Sequence, residues 1–173
     1  MHLHLTDDQG WRLESKVFPL LHKIGSIRKH SQNNHGLLEP TFDEIEHSGY
    51  LTHDDVREIV RHADSLGMQV VPEINIPGHT GALLAAYPQF GINKNPVEVS
   101  GRWGISDHLL RPFPETFDFL KRVLEEVAQL FTSDYIHVGG DESLISNWLL
   151  DPEVITWMKS QGFITPKEVF IYF

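Results

Sequence analysis

The chain has 173 residues, enough for one hydrophobic core, and its 40% hydrophobic and 22% charged residues are typical of a globular protein. A net charge of −10 without any cluster of basic residues excludes nucleic acid as an expected partner, because phosphate binding requires concentrated Lys and Arg. The absence of cysteine excludes disulfides and thiol nucleophiles, and no apolar run reaches the roughly 18 residues of a membrane helix.

The first predicted element is a strand over residues 2–5, which is already under way at the first residue and runs into the polar segment 6–10. This start has neither the basic nor the apolar region of a signal peptide. The other end of the chain is the apolar segment 169–173. We therefore expect the chain to be part of a larger domain that is truncated at both ends.

Residues 22–51 are polar, include His30, His35 and Gly36, and are predicted to form a long loop. A helix should follow, with Thr52 as its N-cap and Gly67 as its stop. Its apolar residues recur at helical spacing: Val56, Ile59, Val60, Ala63 and Leu66. Residues 69–74 are predicted to form the next strand.

A second long loop is predicted over residues 91–114, which are rich in Gly, Asn and Pro. A helix from about 115 to 131 should bury Leu120, Val123, Leu124 and Val127. The apolar run 135–138 is predicted to be a buried strand, and Asp151-Pro152 should open another helix. Thr165 and Glu168 have the spacing of a capping box.

This alternation of strands and helices predicts an α/β fold with a parallel sheet. It fits a partial (β/α)8 barrel, the TIM barrel, of about three to four β/α units, since a complete barrel needs about 250 residues. An open doubly wound sheet fits the spacing equally well. We expect residues 1–173 to form one partial domain.

The strongest functional signal is Gly139-Gly140 followed by Asp141-Glu142, directly after the predicted strand 135–138. Adjacent carboxylates repel each other, so either the favourable field of a helix N-terminus or chemistry must compensate for holding them together. Asp7 and His79 also follow predicted strands, and the carboxyl ends of parallel strands are where active sites are built. We therefore expect these polar residues to converge.

Three segments, residues 4–12, 72–80 and 137–142, closely resemble the catalytic barrel of family-20 glycoside hydrolases, the β-N-acetylhexosaminidases. Trp148, Pro152 and residues 157–159 also match that family. The resemblance implies hydrolysis of terminal, non-reducing β-linked N-acetylhexosamine (GlcNAc or GalNAc) from glycans or chitooligosaccharides, with retention of configuration. It also implies substrate-assisted catalysis, in which the sugar's own acetamido oxygen attacks the anomeric carbon.

The resemblance assigns Glu142 as the general acid and base, and Asp141 as the residue that orients the acetamido group. Asp7 and His79 carry over as substrate-site residues, whereas Asp8 is expected to brace the loop. The same site should include His137 and Trp11. The imidazole of His137 could equally be part of the packed core, and the indole of Trp11 could face a sugar ring. No metal and no cofactor are implied, and the expected partner is an N-acetylhexosamine-containing glycan.

Asn75 departs from the resemblance, because the family usually has an aspartate there, and a negative charge near His79 is lost. The family's substrate-binding arginine and the aromatic residues of its sugar pocket would lie outside this chain. The resemblance implies an exported parent protein, in the periplasm, outside the cell or in the lysosome. It predicts no oligomeric state.

Two other functions fit the sequence. A metal-dependent barrel hydrolase could use His2 and His4, two imidazoles on one face of a strand, together with His79 and Asp141. A catalytically inactive, truncated hexosaminidase or sugar-binding remnant is the second alternative, because about five barrel strands would be missing.

Overall fold

A computed structural model describes residues 1–34, 39–92 and 96–173 and shows a mixed α/β chain. The parts of the two predicted long loops at 35–38, which include His35 and Gly36, and at 93–95 lie outside the described residues. The elements are β1 (His2–His4), β2 (Thr6–Asp7), β3 (Gly10–Trp11), α1 (Leu20–Lys23), β4 (Ile27–Arg28), β5 (His47–Ser48), α2 (His53–Ser65), β6 (Val71–Glu73), α3 (Gly81–Ala86), α4 (Pro114–Ala128), α5 (Pro152–Gln161) and α6 (Pro166–Tyr172).

The predicted parallel pairing is confirmed for β1 and β6, which are connected through α2. Their register places His4 opposite Glu73, and a parallel bridge places Glu73 opposite His137. Residues opposite each other on neighbouring strands project to the same face of a sheet. The pairing therefore brings one polar residue from each of three neighbouring segments to a single face.

The prediction of a buried strand over residues 135–138 is wrong. The backbone does pair with β6 and the residues after it, since His137 N donates to Pro72 O at 2.9 Å and Ile76 N donates to Val138 O at 3.0 Å. However, Tyr135 is 73% exposed and Val138 is also exposed. The physical reason is that this segment has a neighbour on only one edge among the described residues, so its apolar side chains are not covered.

The helix predictions are confirmed with small shifts in their ends. Thr52 caps α2 in a capping box with Asp55, and Asp151 caps α5 by accepting from two backbone amides. Thr165 forms the predicted capping box of α6 with Glu168. Helix α4 ends at Ala128, three residues before the predicted end, although Leu130 and Phe131 are still buried. The apolar pattern that suggested a longer helix thus reflects burial beyond the helix end.

Several short elements had no sequence signal. Strands β2 and β3 pair as an antiparallel hairpin, and β4 pairs with β5 inside the predicted first loop. Helix α3 starts directly after the segment that carries His79. These elements are only two to six residues long, so tertiary contacts decide them more than propensity does.

Two hydrophobic clusters hold the chain together. The larger lies between the sheet and helices α2, α3 and α4, and the smaller packs α5 and α6 around Trp148. The Trp148 indole is fully buried and donates to Leu110 O at 2.8 Å, so it packs in the core and does not face the solvent. Among the residues that the structure describes, no helix is long and apolar enough to cross a bilayer.

Candidate active site

The strand ends converge on one open cleft of about 450 Å³. The structure brings four predicted site residues into its lining, together with five further residues, of which the sequence indicated only His4, as a possible metal ligand. The four are Asp7, His79, Asp141 and Glu142, and the five are His4, Gln9, Trp103, Gly104 and Ile105. The cleft thus combines a polar floor with an apolar rim.

His79 lies at the centre of the polar groups, with a side chain only 9% exposed. Its Nδ1 is 3.1 Å from Asp8 Oδ2 and 3.3 Å from Asp7 Oδ1. Its Nε2 is 3.2 Å from Glu142 Oε2 and 3.7 Å from Asp141 Oδ2. One imidazole therefore bridges two pairs of carboxylates, one pair at each of its ring nitrogens.

The backbone conformation of His79 and Glu142 helps to focus these groups. Both have a positive φ, 52° and 50°, in the left-handed region that side chains seldom adopt. Such conformations occur where the surrounding structure holds them in place, often at functional sites. Here they bring Glu142, on the turn after the glycines, within hydrogen-bond distance of the buried imidazole.

Asp8 has a larger part in the site than the sequence suggested. It was expected to brace its loop, and its buried carboxylate accepts from Gly81 N at 2.8 Å, so it connects that loop to the start of α3. It also contacts His79 Nδ1, which no sequence pattern indicated. Because a buried carboxylate requires a donor, we assign the proton of the imidazole to Nδ1. Nε2 is then the nitrogen available to Glu142.

Asn75 contacts Asp141 rather than His79. Its buried amide donates from Nδ2 to Asp141 Oδ1 at 2.9 Å and accepts from Gly140 N at 3.1 Å. Gly139 makes room for this amide, since a Cβ at that position would lie 2.0 Å from Asn75 Oδ1. The same glycine has a φ of 68°, so both its conformation and its lack of a side chain are needed here.

Three groups of the site have perturbed proton affinities. Burial raises the pKa of Asp7, although the Asp8 amide and His79 act in the opposite direction. Burial alone would lower the pKa of His79, but its hydrogen bond to Asp8 and the surrounding carboxylates raise it above the usual value. The hydrogen bond from Asn75 lowers the pKa of Asp141. The site therefore favours an ionised Asp141 beside an imidazole that readily holds a proton.

Two predicted site residues lie elsewhere. Trp11 is 1% exposed within the main core, and its indole donates to Leu13 O at 2.7 Å. A ring that is enclosed on both faces has none left for a sugar, so this prediction is wrong. His137 is half exposed, does not line the cleft, and accepts from Gly139 N at 3.0 Å. It belongs neither to the network around the acids nor to the packed core.

His137 belongs instead to a group of imidazoles around the buried carboxylate of Glu73. His2 Nε2 lies 2.6 Å from Glu73 Oε2, His137 Nδ1 lies 3.4 Å from the same oxygen, and His4 Nε2 lies 3.5 Å from Oε1. His2, Glu73 and His137 could hold a metal ion by their spacing. Among the described residues, no such group combines His2 with His79 and Asp141, as the metal-hydrolase alternative requires.

The comparisons with known proteins agree with the resemblance seen in the sequence. Residues 1–173 match the family described as "Glycosyl hydrolase family 20, catalytic domain". A beta-hexosaminidase of Vibrio furnissii is 37% identical over 172 residues, which cover 97% of this chain. The crystal structure of a beta-N-acetylhexosaminidase has a TM-score of 0.88 and 32% identity, with 99% of this chain and 36% of that chain covered.

A third relative was crystallised with a sugar. The exo beta-N-acetylglucosaminidase of Vibrio harveyi, solved in complex with N-acetylglucosamine, has a TM-score of 0.76 and 29% identity, covering 97% of this chain and 26% of that chain. The present chain spans 28% of the length of the V. furnissii relative. The likeness therefore covers nearly all of this chain but only about a quarter to a third of each relative.

Proposed function

The chain belongs to glycosyl hydrolase family 20, and from that premise we propose that it carries the acid-bearing part of a β-N-acetylhexosaminidase. The parent enzyme removes terminal β-linked N-acetylhexosamine from glycans or chitooligosaccharides and is exported. Strands β1 and β6 and segment 135–138 are neighbouring members of a partial (β/α)8 barrel. The observation that carries the proposal is that Asp141 and Glu142 both approach Nε2 of His79 in one cleft.

Glu142 acts as the general acid and then as the base. It lies within hydrogen-bond distance of His79 Nε2 and half open to the cleft, so a substrate oxygen can reach it. Asp7 and Asp8 hold the other imidazole nitrogen, which keeps Nε2 directed at Glu142. When Glu142 has given its proton to the leaving oxygen, its carboxylate remains beside His79 Nε2, and it later takes a proton from the attacking water.

Asp141 orients the nucleophile, which is the acetamido oxygen of the substrate. Asn75 holds one of its carboxylate oxygens, so the other can accept from the acetamido N–H. The lowered pKa of Asp141 keeps this group charged where positive charge develops on the cyclic oxazolinium ion. A single proton donor then suffices, because the sugar supplies its own nucleophile. No metal or cofactor enters this proposal.

The test is hydrolysis by the purified chain of two substrates that differ only at carbon 2. We expect release of 4-nitrophenol from 4-nitrophenyl N-acetyl-β-glucosaminide but not from 4-nitrophenyl β-glucoside, which lacks the acetamido group. Replacement of Asp141 by Asn should reduce this selectivity at least tenfold. Equal hydrolysis of the two wild-type substrates, or a covalent glycosyl ester trapped on the protein, would contradict substrate assistance.

A binding measurement separates catalysis from mere recognition. Isothermal titration with N-acetylglucosamine should show binding both to the wild-type chain and to its Glu142→Gln variant. Binding without any hydrolysis by the wild type would support the alternative of an inactive sugar-binding remnant. That result would contradict the enzymatic proposal for this chain.

A further inference from the structure

The rim of the cleft presents two apolar side chains beside the charged groups. Trp103 is 69% exposed and Ile105 is 55% exposed, and both line the same cleft as Asp141 and Glu142. Trp103 differs from the other tryptophans, because Trp11 and Trp148 are buried and Trp157 is partly buried. An indole that lies open to solvent at the rim loses the free energy that burial would provide, so this exposure calls for a reason.

The segment that carries Trp103 is tied to the polar floor by backbone and side-chain hydrogen bonds. Ser100 N donates to Asp8 O at 3.0 Å, and the side chain of Gln9 donates to Arg102 O at 3.1 Å. Trp103 N itself donates to Gln32 Oε1 at 3.2 Å. These contacts hold the backbone of residues 100–103 in place beside Asp8 and Gln9. Asp8 in turn contacts His79 Nδ1. The indole is therefore presented to the cleft by a supported backbone.

The chemistry of this rim suits a pyranose ring. Sugars have one face of C–H groups, which packs favourably on the flat face of an aromatic ring, and an edge of hydroxyls that need polar partners. Gln9 and Asp7 line the cleft next to the rim and offer such partners. An apolar, aromatic wall with a small number of placed polar groups is what a small-molecule subsite requires.

We propose that Trp103, supported by Ile105, forms the subsite for the sugar on the leaving-group side of the scissile bond. The inference rests on the proposed function. A terminal residue reacts where its acetamido group meets Asp141 and its glycosidic oxygen meets Glu142, beside the nearly buried His79. The remaining chain of an oligosaccharide must leave through the mouth of the cleft. The exposed rim at Trp103 therefore meets the second sugar, and the ligand class is a β-linked oligosaccharide.

The first test compares two substrates whose leaving groups have similar basicity. The leaving group of one substrate contains a sugar ring, and the leaving group of the other does not. We expect Trp103→Ala to lower kcat/KM for N,N′-diacetylchitobiose about tenfold through KM. Hydrolysis of methyl N-acetyl-β-glucosaminide should change less than twofold. Trp103→Phe should restore most of the chitobiose value, because a smaller aromatic face remains. Trp157→Phe, which changes a tryptophan remote from the cleft, is the matched control.

An equal loss for the two substrates would overturn the proposal, because Trp103 would then act on the terminal sugar or on the fold. If Trp103→Ala has the same KM and the same kcat for chitobiose as the wild type, the subsite proposal is overturned while the proposed function stays intact.

A second test reads the indole directly, without catalysis. Trp103 is the most exposed tryptophan, so acrylamide should quench its fluorescence most strongly. In the Glu142→Gln variant, chitobiose should protect this fluorescence, whereas N-acetylglucosamine alone should protect it much less. The Trp103→Phe variant should lose the protection and still bind N-acetylglucosamine by calorimetry. Calorimetric binding of chitobiose without any protection would overturn the subsite, and absence of binding by both sugars would overturn it together with the proposed function.

Discussion

Two clusters in this chain have opposite compositions. In the His79 cluster one imidazole is surrounded by carboxylates, and in the Glu73 cluster one carboxylate is surrounded by imidazoles. The first consists of His79 with Asp7, Asp8, Asp141 and Glu142, and the second of Glu73 with His2, His4 and His137. Both are built from the same three neighbouring segments of backbone. The central residue of the first cluster, His79, lines the cleft, whereas the central residue of the second, Glu73, does not.

The difference lies in the backbone that presents each cluster. The Glu73 cluster lies within paired strands, so the register of β1, β6 and the bridge at His137 places its side chains on one face. The His79 cluster follows the strand ends, where positive φ angles at His79 and Glu142 turn the chain. Regular pairing gives a row of fixed spacing, whereas the irregular turns direct two adjacent acids at one nitrogen. The turns thus provide what acid–base chemistry requires.

The largest expected effect separates the two clusters by their roles. Replacement of Glu142 by Gln should lower kcat about 10²- to 10⁴-fold for chitobiose, because the leaving oxygen loses its proton donor. An activated aryl leaving group needs less protonation and should lose less. Steady-state kinetics on both substrates measure this. Equal losses would argue against Glu142 as the acid, and urea unfolding should show that the stability of this variant is unchanged.

The matching change in the other cluster should affect stability instead. Glu73 is buried and its Oε2 lies 2.6 Å from His2 Nε2, so Glu73→Gln should lower the free energy of unfolding by about 1–3 kcal/mol. Urea denaturation of this variant and of Glu58→Gln, an exposed control on α2, provides the measurement. A loss of less than 0.5 kcal/mol, the size expected of the control, would show that the two clusters do not divide chemistry and stability in this way.

Sequence reasoning found the residues that strand ends and caps determine, but not those that turns determine. Asp7, His79, Asp141 and Glu142 follow apolar runs, so their convergence could be predicted from parallel pairing. The contact of Asn75 with Asp141 depends on the φ of Gly139, and a glycine in the sequence permits this conformation without specifying it. The tryptophans show the same limit, because Trp11 was predicted to face a sugar and is buried, whereas Trp103 lines the cleft.

Asn75 offers a smaller test of how the turn sets the charge of Asp141. Asn75→Asp replaces the Nδ2 donor by an acceptor, so two carboxylate oxygens would meet at the 2.9 Å contact. Like charges disfavour ionisation, and the pKa of Asp141 should rise from its lowered value. The acidic limb of the kcat/KM profile should move up by about one pH unit. Asn33→Asp, an exposed position with the same charge change, should leave the profile in place.

The smallest expected effect tests whether the carboxylates around His79 stabilise its protonated form. A folded-state pKa above the usual value means that the folded chain binds the proton more tightly than the unfolded chain does. The resulting stability is complete below the unfolded pKa, about 6.5, and is lost as the pH rises through the folded value. Asp7 also has a raised pKa, but its ordinary value is near 3.8, so measurements above pH 6 keep its contribution apart.

We therefore expect the stability difference between the wild type and His79→Asn to shrink as the pH is raised above 6.5. Urea unfolding at pH 6, 7 and 8 measures it, with His62→Asn as an exposed control whose difference should stay nearly constant. Parallel curves for the His79 variant would show that burial outweighs the carboxylates. Nε2 would then carry no proton when Glu142 is ionised, and the positive charge beside that carboxylate would be absent.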